Sequence, residues 1–151
     1  MATNVLVNFA SGSSYEKKRK INSFTGKYIG RFDKVIEYSF KDIDDVFKKS
    51  NKNIFEEKKG LGLWLWKPYF VKKALDSINE GDFLFYCDSS SVFIRPINKL
   101  VKFMQKENVD IMPFALPFKE SNWTSEVVLS YFNLNHDQRE SNQLCASFLA
   151  L

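Results

Sequence analysis

Gly60 to Phe70 reads GLGLWLWKPYF: two glycines, two tryptophans and a lysine directly before a proline. Proline suits the first turn of a helix, where its missing N–H costs nothing. A helix start presents free N–H groups and the positive end of the helix dipole, and Lys67 would add a formal charge. With Trp64 or Trp66 as a stacking wall, that combination suits a diphosphate. The same residues also read as two core tryptophans beside a solvated lysine, and the segment by itself does not choose. A second point is Asp88, which follows the apolar run FLFYC (83–87) and precedes Ser89, Ser90 and Ser91. A carboxylate there can hold a divalent cation or a sugar hydroxyl, or simply cap the next turn, since Asp and Ser favour such places. A third is the small, polar stretch from Asn8 to Ser14, directly after the first apolar run.

Other chemistries are absent from the pattern. No G-x-G-x-x-G opens a helix after the first strand, and there is no P-loop. G-x-S-x-G is missing, and the serines, aspartates and His136 fall into no hydrolase arrangement. His136, the only histidine, sits in the polar stretch NLNHDQRES and reads as an exposed loop residue. Cys87 and Cys145 are too few for a disulfide framework or a four-thiolate zinc site, which favours a reducing, intracellular setting.

The elements that must position these residues alternate in type. NVLVNF (4–9) is a buried strand ending in a small-residue turn, and 15–24 is a helix with a basic outer face. A strand at 32–38 and a short helix at 42–48 follow, then a polar loop at 49–60. The helix beginning at Pro68 carries a stripe of Phe70, Val71, Ala74, Leu75 and Ile78, with Gly81 as its C-terminal cap. FLFYC, continuously apolar, fits a strand covered on both faces. Ile97, Leu100, Val101 and Met104 mark another helix, and 111–114, carrying Pro113, an edge strand. A helix at 123–132 and a last strand within QLCASFLAL (143–151) complete the list. Strands alternating with helices at this spacing predict an α/β fold with a mostly parallel sheet flanked by helices, a single domain over 1–151. In such sheets ligands bind beyond the carboxyl ends of the strands, where the strand order switches, so the ends at Asn8 and Asp88 are the places to look.

The chain has 151 residues, 44% hydrophobic and 26% charged, which excludes a disordered, collagenous or low-complexity protein. No run approaches the roughly 18–20 apolar residues of a membrane span, and no basic region precedes Val5–Val7 as in a secretory signal. The expected location is cytoplasmic, or peripheral at a membrane. Charge is uneven: residues 1–75 carry 16 Lys+Arg and 8 Asp+Glu, residues 76–151 carry 6 and 10. A basic half could meet phosphates or anionic lipid, or be no more than solvated helix faces.

GLGLWLWKPYFVKKALDSINEGDFLFYCDSSS resembles a segment of bacterial and viral glycosyltransferases of the GT-A nucleotide-sugar class, of the kind related to capsule and lipopolysaccharide synthesis. Their pattern runs G-x-G-Y-W-x-W-K-P, a helix, then G-D-x-x-x-Y-x-D. It is met here by Gly60, Gly62, Trp64, Trp66, Lys67, Pro68, Gly81, Asp82, Tyr86 and Asp88, with Leu63 in place of tyrosine. The resemblance implies a GT-A-like, Rossmann-like fold and transfer of a hexosyl-type sugar from a nucleotide diphosphate sugar, UDP-linked by expectation, to a glycan or lipid-linked acceptor. No nucleic-acid partner is implied. By the same resemblance Asn8, Phe9, Ala10 and Ser11 line the donor pocket with Trp66, Lys67, Asp88 and Ser90, while Gln143 lies by the acceptor. Asp88 stands where the class carries the first acid of a D-x-D metal motif for Mn²⁺ or Mg²⁺, and Ser90 replaces the second. Enzymes of the class are longer, so the expectation is a donor half whose C-terminal part is incomplete. An alternative is a non-catalytic remnant of such an enzyme that binds a nucleotide sugar or glycan or serves as an interaction domain. An incomplete sheet edge would favour a homo-oligomer.

Overall fold

The first apolar run forms β1 (Asn4–Phe9), and the chain turns at Gly12, with φ at 86°, into α1 (Ser13–Thr25). In this computed structural model, which describes residues 2–151, α1 runs on into a single π-turn (Gly26–Gly30) before β2 (Lys34–Tyr38). Ser39 and Asp42 then cap each other reciprocally around a 3₁₀ turn, and α2 (Asp45–Ser50) starts on the Asp44 carboxylate, which accepts the Phe47 N–H. The stretch expected as loop instead coils into α3 (Lys52–Phe55) and a short helical turn, α4 (Gly60–Leu63). Next come α5 (Trp66–Leu75), β3 (Phe83–Cys87) and α6 (Asn98–Glu107). The last third holds β4 (Ala115–Lys119), α7 (Glu120–Trp123), α8 (Glu126–Tyr131), α9 (His136–Glu140), β5 (Asn142–Leu144) and β6 (Phe148–Ala150).

Four strands make the main sheet in the order β2-β1-β3-β6. β1 is parallel to both β2 and β3, with Val5 opposite Lys34 on one side and Leu84 on the other; β6 is antiparallel to β3. The sheet is therefore mostly parallel and flanked by helices, as the alternation of elements predicts. Because side chains alternate across a strand, β1 and β3 serve two cores. Val5, Val7, Phe9, Leu84 and Tyr86 meet Trp66, Phe70 and Ala74 of α5 on one face. Leu6, Phe85 and Cys87 meet Phe32, Phe93, Ile97 and Met104 on the other. A strand buried on both faces is mostly apolar, which is why NVLVNF and FLFYC carry no charge.

Several boundaries differ from expectation. α5 begins two residues before Pro68 and stops at Leu75, so Ile78 lies beyond it, and Gly81 belongs to the Asn79–Asp82 turn rather than to a helix cap. The edge strand expected at 111–114 reduces to one bridge, Met112 to Ala150, and regular pairing starts only at Ala115. Pro113 cannot donate to a ladder, which is sufficient reason. The helix expected over 123–132 breaks at Thr124, extended at ψ 134°, into α7 and α8. The single strand expected in 143–151 becomes two: β5 pairs with β4 in a separate two-stranded sheet, and β6 joins the main one. No helix among the described residues is long and apolar enough to cross a membrane.

Candidate functional site

From β1 the chain passes to β2 on one side, while β3 lies on the other. The carboxyl ends of β1 and β3 thus flank the switch in strand order, and a cleft of about 420 Å³ opens there. Phe9, Ala10 and Ser11 leave β1 along one wall; Asp88, Ser89 and Ser90 leave β3 along another. Tyr15, in the first turn of α1, and Lys58, Gly60, Leu61, Trp64 and Trp66 complete the lining.

The two tryptophans have different places. Trp66 is buried and stacks on Phe9 with ring centroids 3.9 Å apart, so it is both core and cleft floor. Trp64 is 47% exposed and Tyr15 55% at the cleft, with the Lys59 ammonium 5.9 Å from the Trp64 ring centroid and the Lys18 ammonium 5.2 Å from that of Tyr15. Their positions depend on an unusual turn: Gly60, Leu61, Gly62, Leu63 and Trp64 all have positive φ. Left-handed backbone costs a non-glycine residue roughly 1–2 kcal/mol, so Leu61, Leu63 and Trp64 must be held there. The Trp66 indole N–H donates to the Gly60 carbonyl at 2.9 Å, and the N–H groups of Gly62, Leu63 and Trp64 find Glu57, Lys59 and Gly60 carbonyls. At Gly62 a Cβ would lie 2.7 Å from the Phe55 ring and 3.0 Å from its Cα, so only glycine fits. The expected free N–H groups at the start of α5 are partly spent, since those of Leu65 and Lys67 bond to Gly62 and Trp64 carbonyls.

Asp88 is the carboxylate of the cleft, and its Oδ1 is engaged twice. The buried Tyr86 hydroxyl donates to it, and the Lys67 ammonium lies 3.1 Å away. Burial, then the carboxylate beside it, pushes the Tyr86 phenol far up, which keeps it a proton donor at every ordinary pH. Lys67 also donates to the Ala146 carbonyl at 2.9 Å and lies 5.0 Å from the Tyr86 ring centroid. The main-chain N–H of Asp88 donates to Ser147 at 2.8 Å, so the segment leading into β6 supports this corner. From the other face, buried Asn22 donates to the Ser91 carbonyl at 2.9 Å and accepts from Asn8 at 2.7 Å. Asn22 therefore ties α1 to the loop that carries Asp88 to Ser91.

Of the residues singled out by sequence, Phe9, Ala10, Ser11, Trp66, Asp88 and Ser90 come together at the cleft. Asn8 does not reach it: fully buried, its amide faces Asn22 and Ser23 on the α1 side of the sheet. Lys67 stands behind the cleft, paired to Asp88. Gln143 is half-buried in β5, outside the cleft lining. Reading by sequence missed Tyr15, Lys58 and Asn22, whose types and spacing mark no motif; only the packing of α1 and of the Glu56–Lys59 turn brings them in. His136 is exposed, as expected, but opens α9 instead of lying in a loop, and Cys87 is buried.

The donor set does not fit a resident divalent ion. Asp88 is the one carboxylate among the lining residues, Ser89 and Ser90 add only neutral oxygens, and an ammonium already sits on Oδ1. No cluster of three or more His, Cys, Asp or Glu residues able to hold a metal occurs among the described residues.

What the fold and the cleft define is a class: a mixed α/β protein whose mostly parallel sheet opens a polar and aromatic cleft at its switch point. No protein-family model, curated protein or solved structure matches the chain.

Proposed function

We propose that the chain is a GT-A-like glycosyltransferase domain whose cleft takes a nucleotide diphosphate sugar. The observation that carries the proposal is the meeting of the β1 end and the β3 end at the switch point, with the part-exposed rings of Tyr15 and Trp64, Lys58 and Asp88 all lining one cleft. An aromatic face suits the flat base of a nucleotide. Lys58 is the basic residue of the lining and supplies charge for a diphosphate, while Ser11 and Ser90 offer hydroxyls. In the transfer an acceptor hydroxyl oxygen attacks the anomeric carbon, the bond to the phosphate oxygen breaks, and the nucleoside diphosphate departs with the electron pair. The acceptor proton needs a base, and Asp88 is the carboxylate in reach of the cleft.

A second reading, a binding domain without turnover, is favoured by the engagement of that same carboxylate by Lys67 and Tyr86. Calorimetric titration with UDP, GDP, CMP and their sugar conjugates, each with and without Mn²⁺, tests the proposal. The expected outcome is selective binding of one diphosphate without a metal requirement, weakened by Lys58→Ala and Trp64→Ala. A folded protein that binds none of them would overturn the proposal and leave the second reading only as a glycan-binding or interaction domain. Binding without release of nucleotide, when a glycan acceptor is supplied, would leave the second.

A further inference from the structure

The outward face of α1 and its π-turn is built the wrong way round for a surface helix. A helix on a soluble domain turns its apolar side to the core and its polar side to water. Here the sheet-facing side is Asn22 and Gly26, both buried, while Ile21, Phe24 and Tyr28 stand on the far side, 55%, 61% and 68% exposed. The Phe24 and Tyr28 rings hold each other with centroids 4.7 Å apart, and Ile29 beside them is 40% exposed. These apolar groups lie among Lys17, Lys18, Lys20, Lys27 and Arg31, all exposed. No ion pair among the described residues engages any of the five. The acids nearby are Glu16, in the first turn of α1, Asp33, whose carboxylate accepts the Asn4 N–H, and Glu37, which pairs with Arg19 and lines a groove with Ser23 and Lys27.

We propose that this face docks on the surface of an anionic phospholipid bilayer. Lysines set around an aromatic and aliphatic stripe match what such a surface offers: phosphates at headgroup level and an acyl boundary just beneath. Tyr28 and Phe24 suit the interface, where amphipathic rings settle. Ile21 and Ile29 favour lipid over nucleic acid, because an aliphatic chain has no face on which a base can stack. The proposal stands apart from the reading of the cleft, since none of these side chains lines it.

Co-sedimentation of the full chain with phosphatidylcholine vesicles, with and without phosphatidylserine, tests it. The chain is expected to pellet with the mixed vesicles, to stay in solution with phosphatidylcholine alone, and to be released by salt. Near an anionic surface each Lys contributes about fivefold in partitioning. Lys17→Ala/Lys18→Ala/Lys20→Ala should then weaken binding by about 100-fold. Ile21→Ser/Phe24→Ser should abolish it, with circular dichroism showing both variants folded because every altered side chain is exposed. Equal partitioning onto neutral vesicles, or unchanged binding in both variants, would overturn the proposal. So would tighter binding of single-stranded RNA than of anionic vesicles at the same salt, which would make the face a nucleic-acid surface instead.

Discussion

Lys67 and Asp88 are the two charged residues that the W-K-P and Y-x-D patterns single out, and they neutralise one another at 3.1 Å. Both side chains are less than one-third exposed, 19% and 30%, so solvent screens the pair only in part. Removing one partner leaves the other under-solvated, and a hydrogen bond to a charged group is worth roughly 1.5–3 kcal/mol. Lys67→Ala and Asp88→Asn are therefore each expected to destabilise the fold by about 1–3 kcal/mol. The double variant should cost less than the sum, with a coupling of about 1 kcal/mol or more. Urea denaturation of the four proteins measures this, and a coupling near zero would mean that the contact contributes nothing in solution. Their places, at the start of α5 and just past the end of β3, were legible in residue types and spacing. Their pairing was not, because it depends on α5 placing Lys67 over the end of β3, a contact between residues 21 positions apart in the chain.

At the scale of elements, the cleft depends on the left-handed turn between α3 and α5. Gly62 is closed in by the Phe55 backbone, whereas the atoms nearest a Cβ at Gly60 belong to the Trp64 indole, a side chain 47% exposed and able to swing away. Gly62→Ala is thus expected to destabilise more than Gly60→Ala, by about 2 kcal/mol or more against about 1. Gly60→Ala should still weaken ligand binding, since it displaces Trp64 from the cleft. Thermal melts of both variants compare the first effect, and equal melting temperatures would refute the distinction. In sequence, GLGLW announces a turn through its glycines, yet nothing local says that Leu61, Leu63 and Trp64 share the left-handed conformation. Only packing against Phe55 and the Trp66 bond to Gly60 imposes it.

Across the whole molecule, several carboxylates are held below their ordinary range by hydrogen bonds that folding creates. Asp42 is lowered chiefly by the Ser39 hydroxyl, Asp44 by the Tyr69 hydroxyl, and Asp82 by the Thr3 and Asn79 N–H groups. A carboxylate whose folded pKa lies below its unfolded one stabilises the fold above the unfolded value, about 3.9 for Asp, and ceases to do so as pH falls through the folded value. The melting temperature should hold between neutrality and about pH 5 and decline below about pH 4. Asp82→Asn should flatten that decline, as followed by circular dichroism; an unchanged slope would show that the bond from Thr3, which ties the start of β1 to the start of β3, forms equally in the unfolded chain.

What the sequence by itself determined was the part governed by local periodicity: two strands with no charge, hence buried on both faces, helices between them, and polar strand ends at Ser11 and Asp88. Those features follow from side-chain polarity and chain geometry alone, so a reader of residues can find them. What only the tertiary structure decided was which groups meet. Asn8, one residue from the cleft in sequence, points to the opposite face because strand neighbours alternate. QLCASFLAL divides between two sheets because its last residues pair with β3 on one edge and Met112 on the other, while β4 takes the first. Tyr15 and Lys58, silent in sequence, close the cleft. Contacts between residues far apart in the chain are set by the docking of whole elements, and no local pattern encodes that.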